Sequence, residues 1–214
     1  MRVITRLVMQ KRNRERVNVY LDGEFAFGLA LQEAVHLQVG QSLTDEQVAE
    51  LQQADSYQKA YTRALDYLSR RPRSRGELER YLMKKEVAEH HSHQILARLT
   101  ELGLLDDFAF ATYWIENREA FRPRGERAIR YELRQKGVDE TIIDQVLAQS
   151  ELDEVESAYR VALKKMSRLQ AIDDPWQFKQ KLAGYLGRRG FNWDVIQQVS
   201  ERLWQEREDD PLAF

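Results

Sequence analysis

Residues 122–138 have the sequence RPRGERAIRYELRQKGV, and this pattern recurs in the chain. A first copy, RPRSRGELERYLMKKEV, occupies residues 71–87, which is 51 positions earlier. A third copy has two extra residues in its first loop, so that KGV at 136–138 corresponds to RGF at 189–191. Periods of about 50 residues are typical of architectures in which each unit leaves an apolar face for its neighbour to cover. The repeat therefore predicts a stacked helical array, whose surface suits binding better than catalysis.

Each copy is predicted to form three helices, because the signals that start and stop helices recur with it. Ser74 opens the middle helix of the first copy as the start of a Ser-x-x-Glu capping box. Gly137 ends the middle helix of the second copy, since glycine adopts the left-handed C′ conformation without strain, and Asp139 then caps the next helix. In the third copy, Asp174 is a cap followed by Pro175 at the first helical position. The three copies together predict nine helices.

The first 30 residues have the pattern of β-strands instead. Apolar and polar residues alternate over 17–21 and again over 25–29. Asp22-Gly23 between these runs is a strong signal for a two-residue hairpin, because the primed turns need positive φ. Residues 3–9 are expected to add a third antiparallel strand. A sheet this small is not stable alone, so it should pack on the helices that follow.

Two short helices are expected between the strands and the repeats, one over 31–37 and one opened by the capping box Thr44-x-x-Gln47. The repeats are expected to begin near Ser56. The predicted fold class is mostly α: tandem three-helix repeats that form an elongated curved array, with a small antiparallel β-sheet at the N-terminus. The predicted domains are 1–55 for the three strands and short helices, 56–102, 103–150 and 151–206 for the three repeats, and 207–214 for an acidic tail.

The composition predicts a folded, soluble protein and excludes several kinds of site. The chain has 214 residues, of which 43% are hydrophobic and 32% are charged, enough to bury a sizeable core. It contains no cysteine, which excludes disulfides and thiolate metal sites and fits a reducing compartment. Residues 1–16 lack a long apolar run, so neither a signal peptide nor a membrane span is expected. We therefore expect a cytoplasmic protein that does not engage a membrane.

Charge is distributed unevenly, although the net charge is only −2. Residues 1–16 carry six Lys and Arg against one Glu, and residues 57–137 carry 17 Lys and Arg against 12 Asp and Glu. Residues 138–158 carry seven carboxylates and no base, and residues 201–210 have a net charge of −3. Such asymmetry indicates an interaction surface, whose long-range field weakens at physiological salt. The acidic stretch from Asp139 to Glu156 could shield the basic sector of another repeat or face a basic partner, and the sequence leaves both open.

Several linked positions resemble the RecX family of bacterial recombination regulators. They are the KGV stop at 136–138, the run GLLDD-x-x-FA-x-x-W at 103–114, Arg118 and Gly125. With the threefold repeat, the resemblance covers about residues 56–205, and the N-terminal strands resemble the extension of longer members. The family pattern has glycine at the end of the first middle helix, where this chain has Glu86. That turn should therefore close differently or carry strain of about 1 kcal/mol.

The resemblance implies a non-enzymatic protein that binds the RecA recombinase, chiefly its nucleoprotein filament. It implies repression of strand exchange, ATP turnover and coprotease activity, and hence a role in DNA repair, DNA recombination and the SOS response. No cofactor is implied, and nothing in the sequence requires more than a monomer. The sequence leaves open which repeat contacts RecA and which contacts DNA. It also leaves open whether inhibition blocks filament growth, loosens the filament or occupies its groove.

The candidate partner- or DNA-binding residues are basic side chains around the recurring loop and the helix after it. Arg127, Arg130 and Arg134 are three and four positions apart, so they line one helix face. Such a face can meet an acidic protein or phosphates, and phosphate contacts would be weak, non-specific and salt-sensitive. The alternative is a solvated face in which these arginines alternate with glutamates. The full set is Arg71, Arg73, Arg75, Arg80, Lys84, Lys85, Arg118, Arg122, Arg124, Arg127, Arg130 and Arg134.

Two other pairs of residues have both a functional and a structural interpretation. Tyr113 and Trp114 could stack on nucleobases, but neighbours on a helix point about 100° apart, so one of them is expected in the core. Asp106 and Asp107 could hold a metal in a nuclease. Their position at a helix start favours capping of free amides instead.

Nothing in the sequence has the pattern of a catalytic or cofactor site. His90, His91 and His93 cluster, but no converging acidic or thiol partner is evident for a metal. No phosphate-binding loop, Rossmann glycine fingerprint, zincin helix or nucleophile elbow occurs. Three classes of function stay open: a RecA-filament regulator, a general nucleic-acid-binding helical protein and a protein scaffold. The sequence pI near 6.2 disfavours the second, since DNA-binding domains are usually basic.

Overall fold

The computed structural model describes residues 1–209, which form four strands and ten helices. The chain divides into two compact units, one made of Met1–Arg71 and Tyr81–Arg98, the other of Pro72–Arg80 and the chain from Leu99 onward. Tandem three-helix repeats after an antiparallel sheet confirm the predicted mostly α fold class. The end of the predicted acidic tail, residues 210–214, lies outside the described residues. None of the helices up to residue 209 has the length and apolar character to cross a membrane.

The alternating N-terminal pattern forms three antiparallel strands, as predicted. They are β1 (Arg2–Met9), β2 (Arg16–Leu21) and β3 (Glu24–Ala30). Asp22 and Gly23 join β2 to β3 with φ of 51° and 92°, so the predicted hairpin turn is confirmed.

The sheet has a fourth strand, β4 (Ser42–Leu43), which pairs with β1 so that the strand order is β3-β2-β1-β4. The prediction of three strands was wrong here, because a two-residue strand is too short to show an alternating pattern. Leu43 enters the apolar face of the sheet, where Val48 of the following helix joins it. The buried residues of this core are Ile4, Val17, Val19, Leu21, Phe27, Leu29, Ala34, Leu43 and Val48.

The helices that follow the sheet differ from the prediction in length. Helix α1 is a single turn, Leu31–Ala34, and α2 runs without interruption through Asp45–Ser69. The capping box at its start is confirmed: Thr44 Oγ1 accepts from the Gln47 amide at 3.2 Å, and Gln47 Oε1 accepts from the Thr44 amide at 2.9 Å. The predicted start of the first repeat near Ser56 therefore lies inside a helix, because no glycine or proline interrupts it there.

Helices α2 to α10 form three repeats of three helices each. Asp139 and Asp174 cap α7 and α9 as predicted, accepting from the amides of Thr141 and Trp176. The helices after α2 are α3 (Arg75–Lys84), α4 (Glu89–Glu101), α5 (Asp107–Phe121), α6 (Glu126–Lys136), α7 (Glu140–Gln149), α8 (Glu154–Leu169), α9 (Pro175–Gly187) and α10 (Trp193–Asp209).

The second and third repeats each bury an apolar core of their own, and Ile129, Leu133 and Val138 of the recurring stretch lie in the core of the second. The core of the second repeat comprises Phe110, Ala111, Ile115, Ile129, Leu133, Val138, Ile143 and Val146. The core of the third comprises Ala158, Val161, Ala162, Met166, Leu169, Ile172, Phe178, Leu182, Leu186, Phe191, Val195, Ile196, Val199 and Leu203.

The middle helices end in the same left-handed turn even where glycine is missing. Gly137 ends α6 with φ of 81°, and the next amide, that of Val138, donates back into the helix at 3.1 Å. Glu86 adopts φ of 56° after α3, and Val87 donates to the Leu82 carbonyl at 3.2 Å. Of the two alternatives for this turn, the chain therefore adopts the left-handed one with a strained glutamate.

Candidate partner-binding surface

The recurring loop of the first repeat packs on the helix stop of the second. Ser74 Oγ accepts from the Glu77 amide at 3.1 Å, which opens α3 as predicted, and donates to the Lys136 carbonyl at 2.6 Å. A Cβ added to Gly76 would lie 2.8 Å from Cα of Gly137, so the two backbones are in direct contact. We call this contact the first joint.

An ion pair and two hydrogen bonds of charged side chains stabilise the first joint. Lys136 Nζ lies 2.7 Å from Glu77 Oε1, and the Glu77 side chain is only 9% exposed. Arg80 Nη1 donates to the Gln135 carbonyl at 2.8 Å, and its Nε donates to the Gly76 carbonyl at 3.0 Å. Arg80, a predicted contact residue, is thus engaged within the chain.

A second joint of the same design connects the second repeat to the third. The Gly125 amide donates to the Arg189 carbonyl at 3.0 Å, which places the loop before α6 against the stop after α9. A Cβ on Gly125 would meet the backbone of Gly190 at 2.3 Å, and one on Gly190 would meet Ala128 Cβ at 2.4 Å. At each joint, the backbone at the start of one middle helix therefore contacts the glycine stop of the following copy.

Each joint also carries a carboxylate from the first helix of the following repeat. Asp107 accepts from the Arg75 amide at 2.7 Å, and Glu154 accepts from the Glu126 amide at 2.8 Å. Burial raises the pKa of both carboxyls, although these hydrogen bonds act in the opposite direction. Asp106 caps α5, as predicted for this pair, but Asp107 caps the helix of the preceding repeat. The Arg75 side chain itself is exposed, with Nη1 3.5 Å from Thr100 Oγ1.

Two predicted contact residues of the second repeat surround a glutamate. Arg118 Nε lies 2.6 Å from Glu132 Oε2, and Arg124 Nε lies 3.9 Å from Glu132 Oε1. Trp114 Nε1 donates to the same carboxylate at 2.8 Å, and the Arg118 guanidinium lies 4.4 Å from the centre of its ring. Trp114 packs against the core of the second repeat while Tyr113 stays 40% exposed, which confirms that one of the two aromatic residues belongs to the core.

The predicted arginine face of α6 is largely neutralised by α7. Arg134 Nε and Nη2 lie 2.5 and 2.7 Å from the two oxygens of Glu140. Arg130 donates to Glu140 at 3.2 Å, to Glu126 at 2.7 Å and to Asp144. The Arg134 hydrogen bond lowers the pKa of Glu140, and the bonds to Asp144 and Glu126 raise that of Arg130. The first part of the acidic stretch therefore shields basic residues of its own repeat.

A groove lined by four arginines, which we call the α6–α9 groove, has a volume of about 550 Å³. Tyr131 lines the groove and is 62% exposed. Arg127 and Arg188 contribute the cations of the groove that form no ion pair within residues 1–209. Sequence analysis missed Arg188 and Tyr131. The doublet Arg188-Arg189 before the third glycine stop was a signal that could have located this site. The lining residues are Arg127, Ala128, Arg130, Tyr131, Arg134, Gly187, Arg188 and Gly190.

The remaining predicted contact residues are spread over several elements. Arg122 is exposed and forms no ion pair with any described residue, while Arg71 and Arg73 are half-buried and interact with other parts of the chain. Lys84 and Lys85 are exposed at the end of α3, where Lys85 Nζ lies 5.8 Å from the centre of the Tyr81 ring. Of the twelve predicted residues, Arg71, Lys84 and Lys85 belong to one compact unit and the other nine belong to the other.

Of the three clustered histidines, His91 packs inside the first repeat. His91 is 7% exposed, and its ring lies 5.7 Å from that of Tyr57 in an edge-on arrangement. Burial lowers the pKa of His91. Within residues 1–209, no group of three or more His, Asp or Glu side chains is arranged to hold a metal ion.

The fold and this surface define a class: a helical-repeat protein in which three three-helix repeats follow a small sheet and exposed cations lie near the recurring loops. Comparison with known sequences identifies the family. The chain matches the "Regulatory protein RecX N-terminal domain" over residues 2–44. It matches the first, second and third three-helix domains of RecX over residues 60–99, 106–147 and 152–199. The chain belongs to the RecX family of regulatory proteins.

Individual relatives agree with this assignment over nearly the whole chain. Regulatory protein RecX of Bacillus cytotoxicus is 35% identical over 217 residues, covering 98% of this chain and 80% of the relative. That of Bacillus subtilis is 32% identical over 212 residues, covering 97% and 79%. A crystal structure of a regulatory protein RecX superposes with a TM-score of 0.75 at 31% identity, covering 94% of this chain and 100% of the other. The resemblance to the RecX family that the residues indicated is confirmed.

Proposed function

We propose that this protein binds the RecA recombinase, chiefly as its filament on DNA, and inhibits strand exchange, ATP hydrolysis and coprotease activity. The observation that carries the proposal is the match to all four RecX domains, from residue 2 to residue 199. The protein would act without catalysis, as a monomer in the cytoplasm, in DNA repair, recombination and control of the SOS response.

The proposed contact surface consists of three exposed cations, which are Arg122 and Arg127 of the second repeat and Arg188 of the third. Arg122 and Arg127 are solvent-exposed and form no ion pair within residues 1–209, so each can meet a carboxylate or a phosphate without breaking an internal contact. Arg118 and Arg130 would first have to leave their carboxylate partners. A filament on DNA offers phosphates, which exposed Arg122 and Arg127 can bind directly.

A second candidate function is general nucleic-acid binding. The α6–α9 groove favours it, because exposed Tyr131 beside unpaired arginines is the combination that single-strand binders use for bases and phosphates. The net charge of −2 and the carboxylates that neutralise α6 oppose it. We therefore propose at most weak, salt-sensitive binding to bare DNA.

The test is a pair of variants with equal charge loss. Arg122→Gln with Arg127→Gln removes two cations without disturbing an ion pair, and we expect it to weaken binding to RecA filaments about tenfold. Arg168→Gln with Lys181→Gln removes two exposed cations from the third repeat and should bind as the wild type does. Filament affinities can be compared by titration on labelled single-stranded DNA with and without RecA. Equal affinity for the two variants would favour the scaffold hypothesis, which needs no basic loop.

A further inference from the structure

Two carboxylates of α7 face the arginines of α6 as a matched pair. Glu140 and Asp144 are four positions apart on α7, so they lie on the same face one turn apart. Glu140 binds Arg134 through two parallel hydrogen bonds, and Asp144 binds Arg130. Arg130 also retains the Glu126 contact along its own helix.

A guanidinium held in this way attracts a phosphate less strongly, because its charge is largely neutralised and one donor edge is occupied. In Arg134, Glu140 occupies the edge formed by Nε and Nη2, one of the edges that can bind two oxygens of a phosphate. The contact is nevertheless open to exchange, because the side chains of Arg134 and Glu140 are 56% and 43% exposed. Exposed ion pairs of this kind are weak, so a stronger ligand can displace the carboxylate.

We propose that Glu140 and Asp144 are intramolecular competitors of phosphate, which limit the cations that bare nucleic acid meets in the α6–α9 groove to Arg127 and Arg188. The biological role of these carboxylates rests on the proposed function. The regulator would bind bare DNA weakly, and it would bind its target where further contacts offset the cost of displacing Glu140 and Asp144. The two carboxylates are then specificity-determining residues rather than contact residues. A polyanion that offers only phosphates gains too little binding free energy to displace these two carboxylates.

The charge of the groove agrees with this role. Arg127, Arg130, Arg134 and Arg188 line it, while Glu126, Glu140 and Asp144 pair with two of them. Neutralising the two α7 carboxylates would leave one glutamate against four arginines. The groove would change from nearly neutral to strongly basic, with no new side chain added.

The experiment measures binding to an oligothymidylate without RecA. For Glu140→Gln with Asp144→Asn, we expect affinity on the order of tenfold tighter than the wild type at moderate salt. The dependence of log K on log salt should become steeper by about 1.4, since each single-strand phosphate contributes about 0.7 and two are added. Adding Arg127→Gln and Arg188→Gln to this variant should return the affinity to the wild-type level or below.

A control variant distinguishes the release of the α6 arginines from the effect of a change in net charge. Glu116→Gln with Glu151→Gln removes the same charge from exposed residues that form no ion pair within residues 1–209. An equal gain in this control, or an unchanged salt slope in the α7 variant, would overturn the proposal. Should the double variant melt well below the wild type, Glu140→Gln alone gives the test with about half the change in salt slope, because it releases Arg134 and the Glu140 side chain is 43% exposed.

This test is independent of the proposed function, because RecA is absent from it. If bare-DNA binding rises but RecA filaments are never inhibited, the proposed function fails and the competitor role stands. If filaments are inhibited but bare-DNA binding does not change, only the competitor role fails.

Discussion

Glu86 carries backbone strain that a single substitution can remove. It holds φ of 56° in a turn whose equivalents use glycine, and a left-handed residue with a Cβ costs about 1–2 kcal/mol. The Glu86 side chain is exposed and no ion pair holds it within residues 1–209. Glu86→Gly should therefore raise the free energy of unfolding by about 1 kcal/mol, measured by urea denaturation.

A glutamate inside α3, the helix that precedes this turn, provides the control for this prediction. Glu79 is exposed within α3, where the same change to glycine loses helix propensity and should destabilise by about 0.5–1 kcal/mol. The two variants should therefore shift the urea midpoint in opposite directions. A loss of stability in both would show that the turn after α3 is not strained by its side chain.

Single residues also show what the sequence could and could not predict about the site. The spacing of Arg127, Arg130 and Arg134 predicted a shared helix face, because spacing along one helix depends only on helical geometry. Their neutralisation by Glu140 and Asp144 depends on how α6 packs against α7, and residue spacing along one helix carries no information about that packing. The sequence therefore left the role of the acidic stretch open, and the structure shows its first residues shielding the arginines.

At the scale of elements, the joints explain why glycine occurs near the start of a middle helix. Gly76 lies in α3, where alanine would normally gain up to about 1 kcal/mol in helix propensity. A Cβ there would lie 2.8 Å from both Gly137 Cα and the Lys136 carbonyl oxygen, and these backbone atoms cannot rotate away. We expect Gly76→Ala to destabilise the fold by about 2 kcal/mol in chemical denaturation.

The matched control for Gly76 lies in another repeat. Gly184 is a helical glycine of α9 at which a Cβ would find only the end of the Arg188 side chain, at 3.5 Å. Gly184→Ala should be neutral or stabilise by up to about 1 kcal/mol. If Gly76→Ala proved as stable as Gly184→Ala, the close backbone approach at the first joint would be contradicted.

The joint carboxylates make a prediction about pH. Burial raises the folded-state pKa of Asp107 and Glu154 above their ordinary values of 3.8 and 4.5. The folded protein then binds these protons more tightly than the unfolded chain, so the stabilisation is full below the ordinary values and is lost as pH rises through the folded-state values. Asp107→Asn with Glu154→Gln cannot ionise but still offers acceptor oxygens. Its stability relative to the wild type should rise between pH below 3.8 and neutral pH.

Thermal melting at several pH values measures this difference between variant and wild type. Both proteins share all other titrating groups, so the difference isolates the two joint carboxyls. A variant that became less stable than the wild type as pH rises would show that the ionised carboxylates stabilise the joints as helix caps.

Elements marked by local chemistry were predictable, and elements defined by pairing were not. The Asp22-Gly23 turn and the Thr44 and Asp139 caps were correct, because a turn or a cap is specified by a few adjacent residues. Strand β4 was missed because its two residues form a strand only through their pairing with β1. The continuity of α2 was missed because the repeat period suggested a boundary where no helix-breaking residue stands.

For the whole molecule, the distribution of charge matters more than its sum. A net charge of −2 describes a chain in which α7 pairs with arginines of α6 while Arg122 and Arg127 stay exposed. The recurring arginine loops were predicted as contact sites, and the structure assigns part of each loop to a joint between repeats. The same repeat thus builds the fold and presents the cations from which we infer a polyanionic or acidic partner.

The measurement that tests the central claim most directly is ATP hydrolysis by RecA assembled on single-stranded DNA, followed while this protein is titrated in. A parallel series measures binding to the same DNA without RecA. We predict inhibition at concentrations well below those that coat the bare DNA. If ATP hydrolysis fell only at concentrations that coat the DNA itself, the filament-regulator account would be contradicted, and a general nucleic-acid binder would replace it.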